Sequence, residues 1–321
     1  MRSITLLSAM VCMASGAWSQ EGPVYPTKPV RFIVGFAPGG GTDVVARGVA
    51  NKLSEMWKQQ VAVDNRPGAA TIVGTELAAR APADGYTMLL ASSSYAINAA
   101  FQKKLPYDPL KDLIAVTQTA FQPYVIVVYP GVPARSLKEL IGYARANPGK
   151  LNYGSPGSGS GGHLAAELFR MVTQTEMVHV PYRGGALALT DLLGGQIQMM
   201  FPTILTVAPH IKSGGMRSLA VTSSRRSSAL PDVPTVAEAA LPGFVAASWN
   251  GVMVPAGTPP AIVAKLNRDI VQVLKTSEVR DMLAADGAEP MGNTQEQFAR
   301  HIREEIQKWT KVISAAGIKS D

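Results

Sequence analysis

Along the chain, short runs of apolar and β-branched residues alternate with longer stretches in which apolar residues recur every three or four positions. Runs of the first kind include PVRFIVGF, YTMLLASSS, YVIVVYP and MVHVPY. The stretch from Thr42 to Trp57 shows the second pattern, with Val45, Val49 and Leu53 on one stripe. The first pattern is typical of buried strands and the second of amphipathic helices. Their alternation predicts an α/β fold with mainly parallel sheets flanked by helices.

Two of these strand–helix units carry a glycine-rich loop between the strand and the helix. The first reads GFAPGGGTDVVARGVANKL from residue 35, and the second reads KLNYGSPGSGSGGHLAAELFRMV from residue 150. They are separated by about a domain's length of chain, which predicts two lobes. The candidate crossings are VIVVYP and the segment from LAVTSS to WNGVMVP. Lobe 1 is therefore predicted over residues 25–123 and 248–321 and lobe 2 over residues 124–247, with a ligand cleft between them.

The N-terminus, residues 1–19, predicts a secretory signal peptide. Arg2 provides a positive n-region, a short apolar stretch runs from Ile4 to Ala14, and cleavage is expected before Gln20. The apolar stretch is too short to span a membrane. Cleavage would remove Cys12, the only cysteine, and with it any thiol nucleophile or thiolate metal site. The mature protein is therefore predicted to be exported.

A glycine-rich loop between a strand and a helix is suited to holding an anion. In open α/β sheets, ligands lie beyond the carboxyl ends of the strands, where the next helix presents unpaired N–H groups and a partial positive charge. A nucleoside triphosphate is disfavoured, because Gly40 is followed by Gly41 and Thr42 and not by the lysine of a P-loop.

The second loop also contains the G-x-G-x-x-G spacing of dinucleotide-binding folds, in Gly157, Gly159 and Gly162. Such a site needs an acidic residue at the end of the following strand. Glu176 has about the right distance along the chain, but it precedes that strand. The spacing therefore favours a glycine turn required by packing, and no cofactor is predicted.

The polar residues of the loops do not form a catalytic or metal-binding pattern. Ser158 and Ser160 lie beside His163 without an evident third partner and without the G-x-S-x-G pattern. The four histidines have neither His-x-x-x-His nor His-Glu-x-x-His spacing, so no metal site is predicted. His163, at the start of a helix facing the predicted cleft, is a candidate ligand contact. Asp43 is a candidate base or, like Thr42, a candidate N-cap of the first helix.

The net charge of +7 is compatible with three classes of anionic binding partner: nucleic acids, anionic surfaces and anionic small molecules. The chain has no longer basic cluster than SSRRSS at 223–228 and no basic strip interleaved with aromatic residues, so nucleic acid is disfavoured. A small carboxylate held between two glycine- and serine-rich helix starts accounts for both loops. SSRRSS is a candidate docking surface, although charged surface patches are mostly just solvated.

Seven segments together resemble the Bug-type, TctC-like receptors of tripartite tricarboxylate transporters. They read YPTKPVRFIVGFAPGGGTDVVARGVANKL, DNRPGAATIVGTELAARAPADGYTMLLASSS, KLPYDPLKDL, NPGKLNYGSPGSGSGGHLAAELF, HVPYRGGALALTDLLGGQ, LPDVPTVAEAALPGF and VPAGTPPAIVAKLN, in the order and spacing of the family. The match covers nearly the whole mature chain and is more specific than any single motif. It implies a two-lobed periplasmic solute-binding protein of type II, which captures a small carboxylate and delivers it to a membrane permease.

The resemblance also implies which residues contact the ligand. In this family the ligand's carboxylate lies between the loop after the first strand and the glycine–serine loop of the second lobe, partly through water. Carried over, the ligand-binding set is Phe36, Pro38, Gly39, Gly40, Thr42, Asp43, Ser92, Ser93, Ser158, Gly159, Ser160, His163 and Thr203.

Two positions depart from the family pattern. Pro202 and Thr203 stand where the family usually has an acid, and Tyr95 stands where a histidine is common. Loss of the acid removes a partner for an ammonium group, and the tyrosine is expected to add an aromatic wall. We therefore expect a di- or tricarboxylate or an aromatic carboxylate, rather than an acidic amino acid.

Two other functions stay open on the sequence alone. An exported α/β enzyme could use Asp43 or His163, and a receptor could hand its closed form to a sensor instead of a permease. Loss of turnover in the Asp43→Ala and His163→Ala variants would favour the enzyme, whereas binding without turnover would exclude it. A monomer is expected, because lobe closure needs free surfaces.

Overall fold

The structure is a computed structural model that describes residues 25–182, 184–285 and 287–316. The predicted signal peptide, residues 1–19, lies outside this part of the chain. Within the described ranges, no helix is both long enough and apolar enough to cross a membrane.

Strands and helices alternate along much of the described chain, as the hydrophobic pattern predicts. The strands are β1 Val30–Val34, β2 Val61–Asn65, β3 Thr87–Ser92, β4 Leu113–Pro123, β5 Val125–Val128, β6 Leu151–Ser155, β7 Met177–Pro181, β8 Met199–Met200, β9 Arg217–Val221, β10 Ala247–Pro255 and β11 Glu289–Pro290. The helices are α1 Gly41–Trp57, α2 Ile72–Ala79, α3 Ser93–Phe101, α4 Leu137–Ala146, α5 Gly161–Thr173, α6 Gly185–Leu193, α7 Ile204–Lys212, α8 Val236–Ala239, α9 Pro260–Val273, α10 Ser277–Ala285 and α11 Gln295–Ala316.

The strands form two separate sheets. A six-stranded sheet has the order β11-β4-β10-β3-β1-β2, and a five-stranded sheet has the order β7-β6-β8-β5-β9. The first takes strands from both ends of the described chain and the second takes strands from its middle. We call the units built on these sheets lobe 1 and lobe 2. The result is the two-lobed α/β fold expected from the sequence.

Both sheets are mixed rather than mainly parallel, which corrects the expectation from the sequence. In lobe 1, β1 is parallel to β2 and β3, whereas β10 is antiparallel to β3 and β4. In lobe 2, β6 is parallel to β7 and β8, whereas β5 is antiparallel to β8 and β9. The chain leaves lobe 1 through β4 and β5 and returns through β9 and β10. Because the outgoing and returning strands pair with each other, they must run in opposite directions.

The two crossings lie side by side between the lobes. The Tyr124 N–H donates to Thr222 Oγ1 at 2.9 Å, and the Tyr124 carbonyl accepts from the Thr222 N–H at 2.9 Å. The Ala246 N–H donates to the Thr222 carbonyl at 3.0 Å. Thr222 therefore ties the outgoing crossing to the returning one, and Tyr124 lies at the boundary of the lobes.

Helix packing confirms the apolar stripe of the first helix and shows that α5 contacts both lobes. Val45, Val49 and Leu53 of α1 are buried in the core of lobe 1. Leu164 of α5 is also buried in an apolar cluster of lobe 1, while Phe169 of the same helix is buried in the core of lobe 2. The N-terminal end of α5 is thereby held at the boundary between the lobes.

Candidate functional site

The loop between β1 and α1 leaves the first turn of the helix without a side-chain cap. The helix begins at Gly41, and its N-cap is Gly40, which has no side chain that could accept a hydrogen bond. The prediction that Thr42 or Asp43 is the N-cap is therefore wrong, since both lie inside the first turn. Gly39 has a φ of +87°, a conformation that favours glycine. The start of α1 thus offers backbone N–H groups, rather than a capping side chain, to an anion.

Asp43 holds this loop in place through both of its carboxylate oxygens. The residue is 2% exposed. Its Oδ2 accepts from the Gly39 N–H at 2.9 Å and from Arg47 Nε at 2.8 Å, and its Oδ1 accepts from Asn65 Nδ2 at 2.9 Å. Asn65 Nδ2 also donates to the Phe36 carbonyl at 2.9 Å. Burial alone would raise the pKa of the Asp43 carboxyl, but the hydrogen bonds outweigh burial and hold the pKa below its ordinary value.

Polar side chains from three elements meet at the edge of lobe 1 next to α1. Ser92, the N-cap of α3, and Ser93 are buried. Ser93 Oγ lies 3.1 Å from Ser248 Oγ on β10. Two residues further along β10, on the same face of the strand, Asn250 Nδ2 donates to Thr42 Oγ1 at 3.4 Å. The first turn of α1 therefore adjoins a polar surface built by β3, α3 and β10.

Tyr95 does not form an aromatic wall of the cleft, contrary to the expectation from the sequence. The residue is 1% exposed, its hydroxyl donates to the Pro109 carbonyl at 2.7 Å, and its ring stacks on that of Tyr107 at 6.1 Å. The side chain points into the core of lobe 1 because it lies on the apolar inner face of α3. An open groove of about 580 Å³, lined in part by Tyr107, Pro109 and Asp112, lies on that side of the lobe.

The glycine–serine loop of lobe 2 joins β6 to α5 and is held by two histidines. Ser160 is the N-cap of α5 and accepts from the His163 N–H at 3.4 Å. The Gly159 N–H donates to His163 Nδ1 at 3.0 Å, and Ser155 Oγ lies 2.6 Å from His179 Nε2. Because Nδ1 of His163 accepts a hydrogen bond, the neutral ring carries its proton on Nε2.

The rings of buried His163 and half-buried His179 stack on each other in lobe 2. Their ring centroids are 4.0 Å apart, and Tyr153 stacks on His179 at 4.9 Å. The Tyr153 hydroxyl donates to Glu167, which pairs with Arg170 at 2.6 Å. Burial lowers the pKa of His163 to about 4, and the neighbouring His179 adds to this effect. Burial also lowers the pKa of His179. We therefore expect both rings to be neutral at neutral pH, the state in which His163 can accept from the loop.

Acid is expected to destabilise the protein through His163. The ordinary pKa of a histidine is about 6.5, whereas the pKa of His163 in the folded protein is about 4. The unfolded chain therefore binds more protons between these two values. The free energy of unfolding should keep its full value above about pH 6.5 and fall as the pH is lowered toward 4. We expect a loss of roughly 3 kcal/mol, measured by urea unfolding at a series of pH values.

Two variants assign this acid effect to the loop histidine. The His163→Gln protein should lose the part of the pH dependence that His163 contributes, because glutamine can accept from the Gly159 N–H without titrating. The His210→Gln protein changes a half-buried histidine of α7 and should keep the wild-type profile. If His163→Gln instead keeps the wild-type profile, other groups cause the loss of stability and the prediction is wrong.

The loops of the two lobes approach each other at the lobe boundary. A Cβ on Gly161, the first residue of α5, would lie 1.9 Å from the Tyr124 hydroxyl oxygen and 3.1 Å from Ser93 Oγ. A Cβ on Gly159 would lie 3.6 Å from the Phe101 ring at the end of α3.

The Tyr124 hydroxyl also interacts with Ser248 and Ser93. A row of polar groups thus connects the start of α1 with the start of α5. We call this row the cleft floor: Thr42, Asn250, Ser92, Ser248, Ser93 and Tyr124.

The remaining residues of the predicted site differ in exposure. Phe36 is half-buried against the core of lobe 1. Thr203 is the half-buried N-cap of α7, its Oγ1 lies 3.0 Å from that of Thr206, and its backbone forms a bridge with Tyr124. Thr203 therefore also lies beside the lobe boundary. The exposed members of the predicted set are Pro38, Gly39, Gly40 and Ser158.

Sequence reasoning missed three residues of the cleft floor, namely Tyr124, Ser248 and Asn250. In β10 the run ASWNGVMVP is apolar apart from Ser248 and Asn250. Polar side chains inside a buried strand need partners, and this was the available signal. Tyr124 begins the otherwise apolar run YVIVVYP, and its hydroxyl is the only polar group of its side chain. The run therefore predicts a buried strand and gives no sign of a polar role for Tyr124.

Both arginines of the SSRRSS segment have carboxylate partners. Arg225 pairs with Glu289 of lobe 1 at 2.7 Å, and Arg226 pairs with Glu238 of lobe 2 at 2.9 Å. These pairs reduce the positive potential that the segment would offer to a docking partner. The Arg225 pair also links the two lobes.

Comparison with known proteins agrees with this architecture. Residues 45–318 match the family described as the tripartite tricarboxylate transporter family receptor, TctC. Protein BugT of Bordetella pertussis is 39% identical over 320 residues, which covers 99% of this chain and 98% of BugT. The solved structure of R. palustris Rpa4515 with adipate is 38% identical with a TM-score of 0.86, covering 92% of this chain and 99% of that one. MatC from Rhodopseudomonas palustris with bound malate is 31% identical with a TM-score of 0.82, covering 90% and 100%.

The similarity extends over nearly the full length of these proteins in both sequence and fold. The solved relatives include a periplasmic binding protein, so the two-lobed architecture is that of this protein class. The chain therefore belongs to the TctC family of tripartite tricarboxylate transporter receptors, a family of solute-binding proteins and not of enzymes.

Proposed function

We propose that this protein is a periplasmic receptor that captures a small carboxylate in the cleft between its lobes. The observation that carries the proposal is the position of the two helix starts, since α1 and α5 both begin at the cleft floor. Each helix start presents backbone N–H groups and the positive end of the helix dipole. Two such ends on opposite sides of one cleft suit an anion that both lobes hold.

The contacts proposed for the ligand are mainly backbone N–H and hydroxyl groups. A hydrogen bond to a charged group contributes about 1.5–3 kcal/mol. A few of them would reach the roughly −8 kcal/mol of micromolar binding. Asp43 is assigned the role of holding the loop, because its carboxylate oxygens already accept from protein donors. The other proposed ligand-binding residues are Phe36, Pro38, Gly39, Gly40, Thr42, Ser92, Ser93, Ser158, Gly159, Ser160, His163 and Thr203.

The geometry favours binding without turnover over an exported enzyme. Both oxygens of Asp43 and Nδ1 of His163 are engaged with groups of the protein, so neither residue is poised as a general base. The solved relatives named above hold adipate and malate, which are dicarboxylates. They favour a di- or tricarboxylate over an aromatic carboxylate as the ligand of this chain.

The family implies a permease as the partner of the loaded receptor. We propose that residues 1–19 direct export, that the protein acts as a monomer without a cofactor, and that its closed form delivers the ligand to the permease of a tripartite tricarboxylate transporter. Lobe 1 would comprise residues 25–123 and 248–321, and lobe 2 residues 124–247. A receptor that feeds a sensor would use the same cleft, and only the partner distinguishes the two.

A thermal-shift screen tests the proposed ligand class. The mature protein is unfolded and refolded to remove any bound ligand and is then mixed with di-, tri- and aromatic carboxylates, with amino acids and with the amides of the same acids. A ligand at one hundred times its Kd adds about 2.7 kcal/mol of stability. We expect such a shift from one class of carboxylates and none from the matching amides, which lack the charge. Equal shifts from acids and amides, or none from any acid, would contradict the proposal.

A further inference from the structure

Two polar atoms of the cleft floor lack any partner in the described structure although both are buried. They are Oδ1 of Asn250 and Oγ of Ser92. Asn250 is 0% and Ser92 5% exposed. The two residues are directly opposite each other on the paired strands β10 and β3, so their side chains lie on the same face of the sheet. Buried polar atoms are normally hydrogen-bonded, and an unpaired one costs free energy.

The position of this pair connects it with the ligand cleft. Asn250 Nδ2 donates to Thr42 Oγ1 in the first turn of α1, so the amide lies directly beside the proposed anion site. Ser92 is the N-cap of α3, yet its side chain makes no capping hydrogen bond. Ser93, the next residue, adjoins Gly161 of the opposite lobe. A ligand held between the starts of α1 and α5 would therefore have the unpaired atoms beneath it.

The chemistry of the two atoms selects the group that would satisfy them. Asn250 Oδ1 is an acceptor and needs a donor, which an ionised carboxylate does not have. A hydroxyl group can donate to Asn250 Oδ1 and accept from the Ser92 hydroxyl at the same time. An ammonium group could donate, but a buried cation needs a carboxylate, and Asp43 is already paired with Arg47.

We infer that Asn250 and Ser92 form a further subsite for a hydroxyl group of the ligand, which makes hydroxycarboxylates the substrate class of this receptor. The inference rests on the proposed function, because it takes the carboxylate to lie at the starts of α1 and α5. Asn250 and Ser92 then determine specificity beside that anion site, and they distinguish acids of equal charge by a single hydroxyl.

Calorimetric titration of the refolded mature protein with matched pairs of acids tests this subsite. The pairs differ by one hydroxyl and cover three classes: malate and succinate, citrate and tricarballylate, mandelate and phenylacetate. We expect the hydroxy acid of the best-bound pair to bind at least about tenfold more tightly than its partner. Aspartate, which carries an ammonium group in place of the hydroxyl of malate, should bind more weakly than the hydroxy acid.

Two variants test whether Asn250 and Ser92 cause the difference in affinity between hydroxy and deoxy acids. Asn250→Leu and Ser92→Ala should each reduce the ratio between hydroxy and deoxy acid, because the hydroxy acid loses more affinity than the deoxy acid. Asn267→Leu is the matched control, since it removes a half-buried amide that bonds to the carbonyls of Val116 and Asn293 in lobe 1. It should keep the wild-type ratio. Ser92→Ala is the smaller change and serves alone if Asn250→Leu does not fold.

The outcomes separate this inference from the proposed function. Equal affinity for the members of each bound pair, or a ratio that both variants leave unchanged, would overturn the hydroxyl subsite while carboxylate binding stands. Aspartate binding as tightly as malate would overturn it in the same way. Failure of every acid to bind would overturn both the subsite and the proposed function.

Discussion

A Gly161→Ala variant is expected to bind its ligand about 100-fold more weakly than the wild type. The added methyl group would lie 1.9 Å from the Tyr124 hydroxyl oxygen and 3.1 Å from Ser93 Oγ, so either the start of α5 or the buried Tyr124 side chain must shift at the cleft floor. Alanine is otherwise the better helix residue by about 1 kcal/mol. A loss of affinity would therefore come from the contact between the lobes and not from the helix. Calorimetry with the acid found by the thermal-shift screen measures it.

A matched glycine and a second-site change control this experiment. Gly142 lies in α4, and a Cβ there would meet nothing within 4 Å, so Gly142→Ala should bind like the wild type. Adding Tyr124→Phe to Gly161→Ala removes the closest oxygen and leaves the ring carbon at 3.0 Å. We expect this double variant to recover part of the lost affinity. Wild-type affinity in Gly161→Ala would show that the start of α5 does not need its present position for binding.

An Asp43→Ala variant is expected to lose both stability and affinity. The substitution leaves the Gly39 N–H, Arg47 and Asn65 without their shared acceptor. Hydrogen bonds to a charged group contribute about 1.5–3 kcal/mol each, and Arg47 can regain water, so we expect the free energy of unfolding to fall by about 2–4 kcal/mol. Since Asp43 fixes the loop that precedes α1, the affinity for the ligand should fall by about tenfold or more.

Glu55→Ala is the control for this change on the same helix. Glu55 is an exposed acid of α1 that pairs with Lys52 at 3.0 Å. Exposed ion pairs contribute about 0–1 kcal/mol, so urea unfolding of this variant should be close to wild type. If Asp43→Ala lowers affinity without any loss of stability, Asp43 contacts the ligand itself and its assignment as a loop-holding residue is wrong.

Hydrophobic periodicity predicted the strands and helices, and the spacing of the two glycine-rich loops along the chain predicted the two lobes. The stripe Val45, Val49 and Leu53 fixes the inner face of α1, and the glycine loops mark where α1 and α5 begin. Strand direction could not be predicted in this way, because a buried apolar run has the same pattern in a parallel and in an antiparallel pair. The mixed sheets result from the double crossing between lobes, which is a property of the whole chain path.

The details of the site depend on contacts between distant parts of the chain. Asn250 and Thr42 are separated by 208 residues. No local sequence pattern could therefore predict that β10 contacts the first helix. Tyr95 follows three serines near the cleft, but its position on α3 turns the ring into the core. Asp43 has the residue type of an N-cap, yet Gly40 takes that place and the carboxylate turns back to the loop. In each case packing and hydrogen bonding, not residue type, decide the role.

The most direct test of the account is a crystal structure of the protein with the acid that stabilises it most. We expect one ligand carboxylate within about 3 Å of backbone N–H groups at the start of α1 and of the loop that precedes α5, so that the two lobes share one anion. A carboxylate bound elsewhere, such as in the groove beside Tyr107, or held by one lobe alone, would contradict a receptor that captures its ligand between two helix starts.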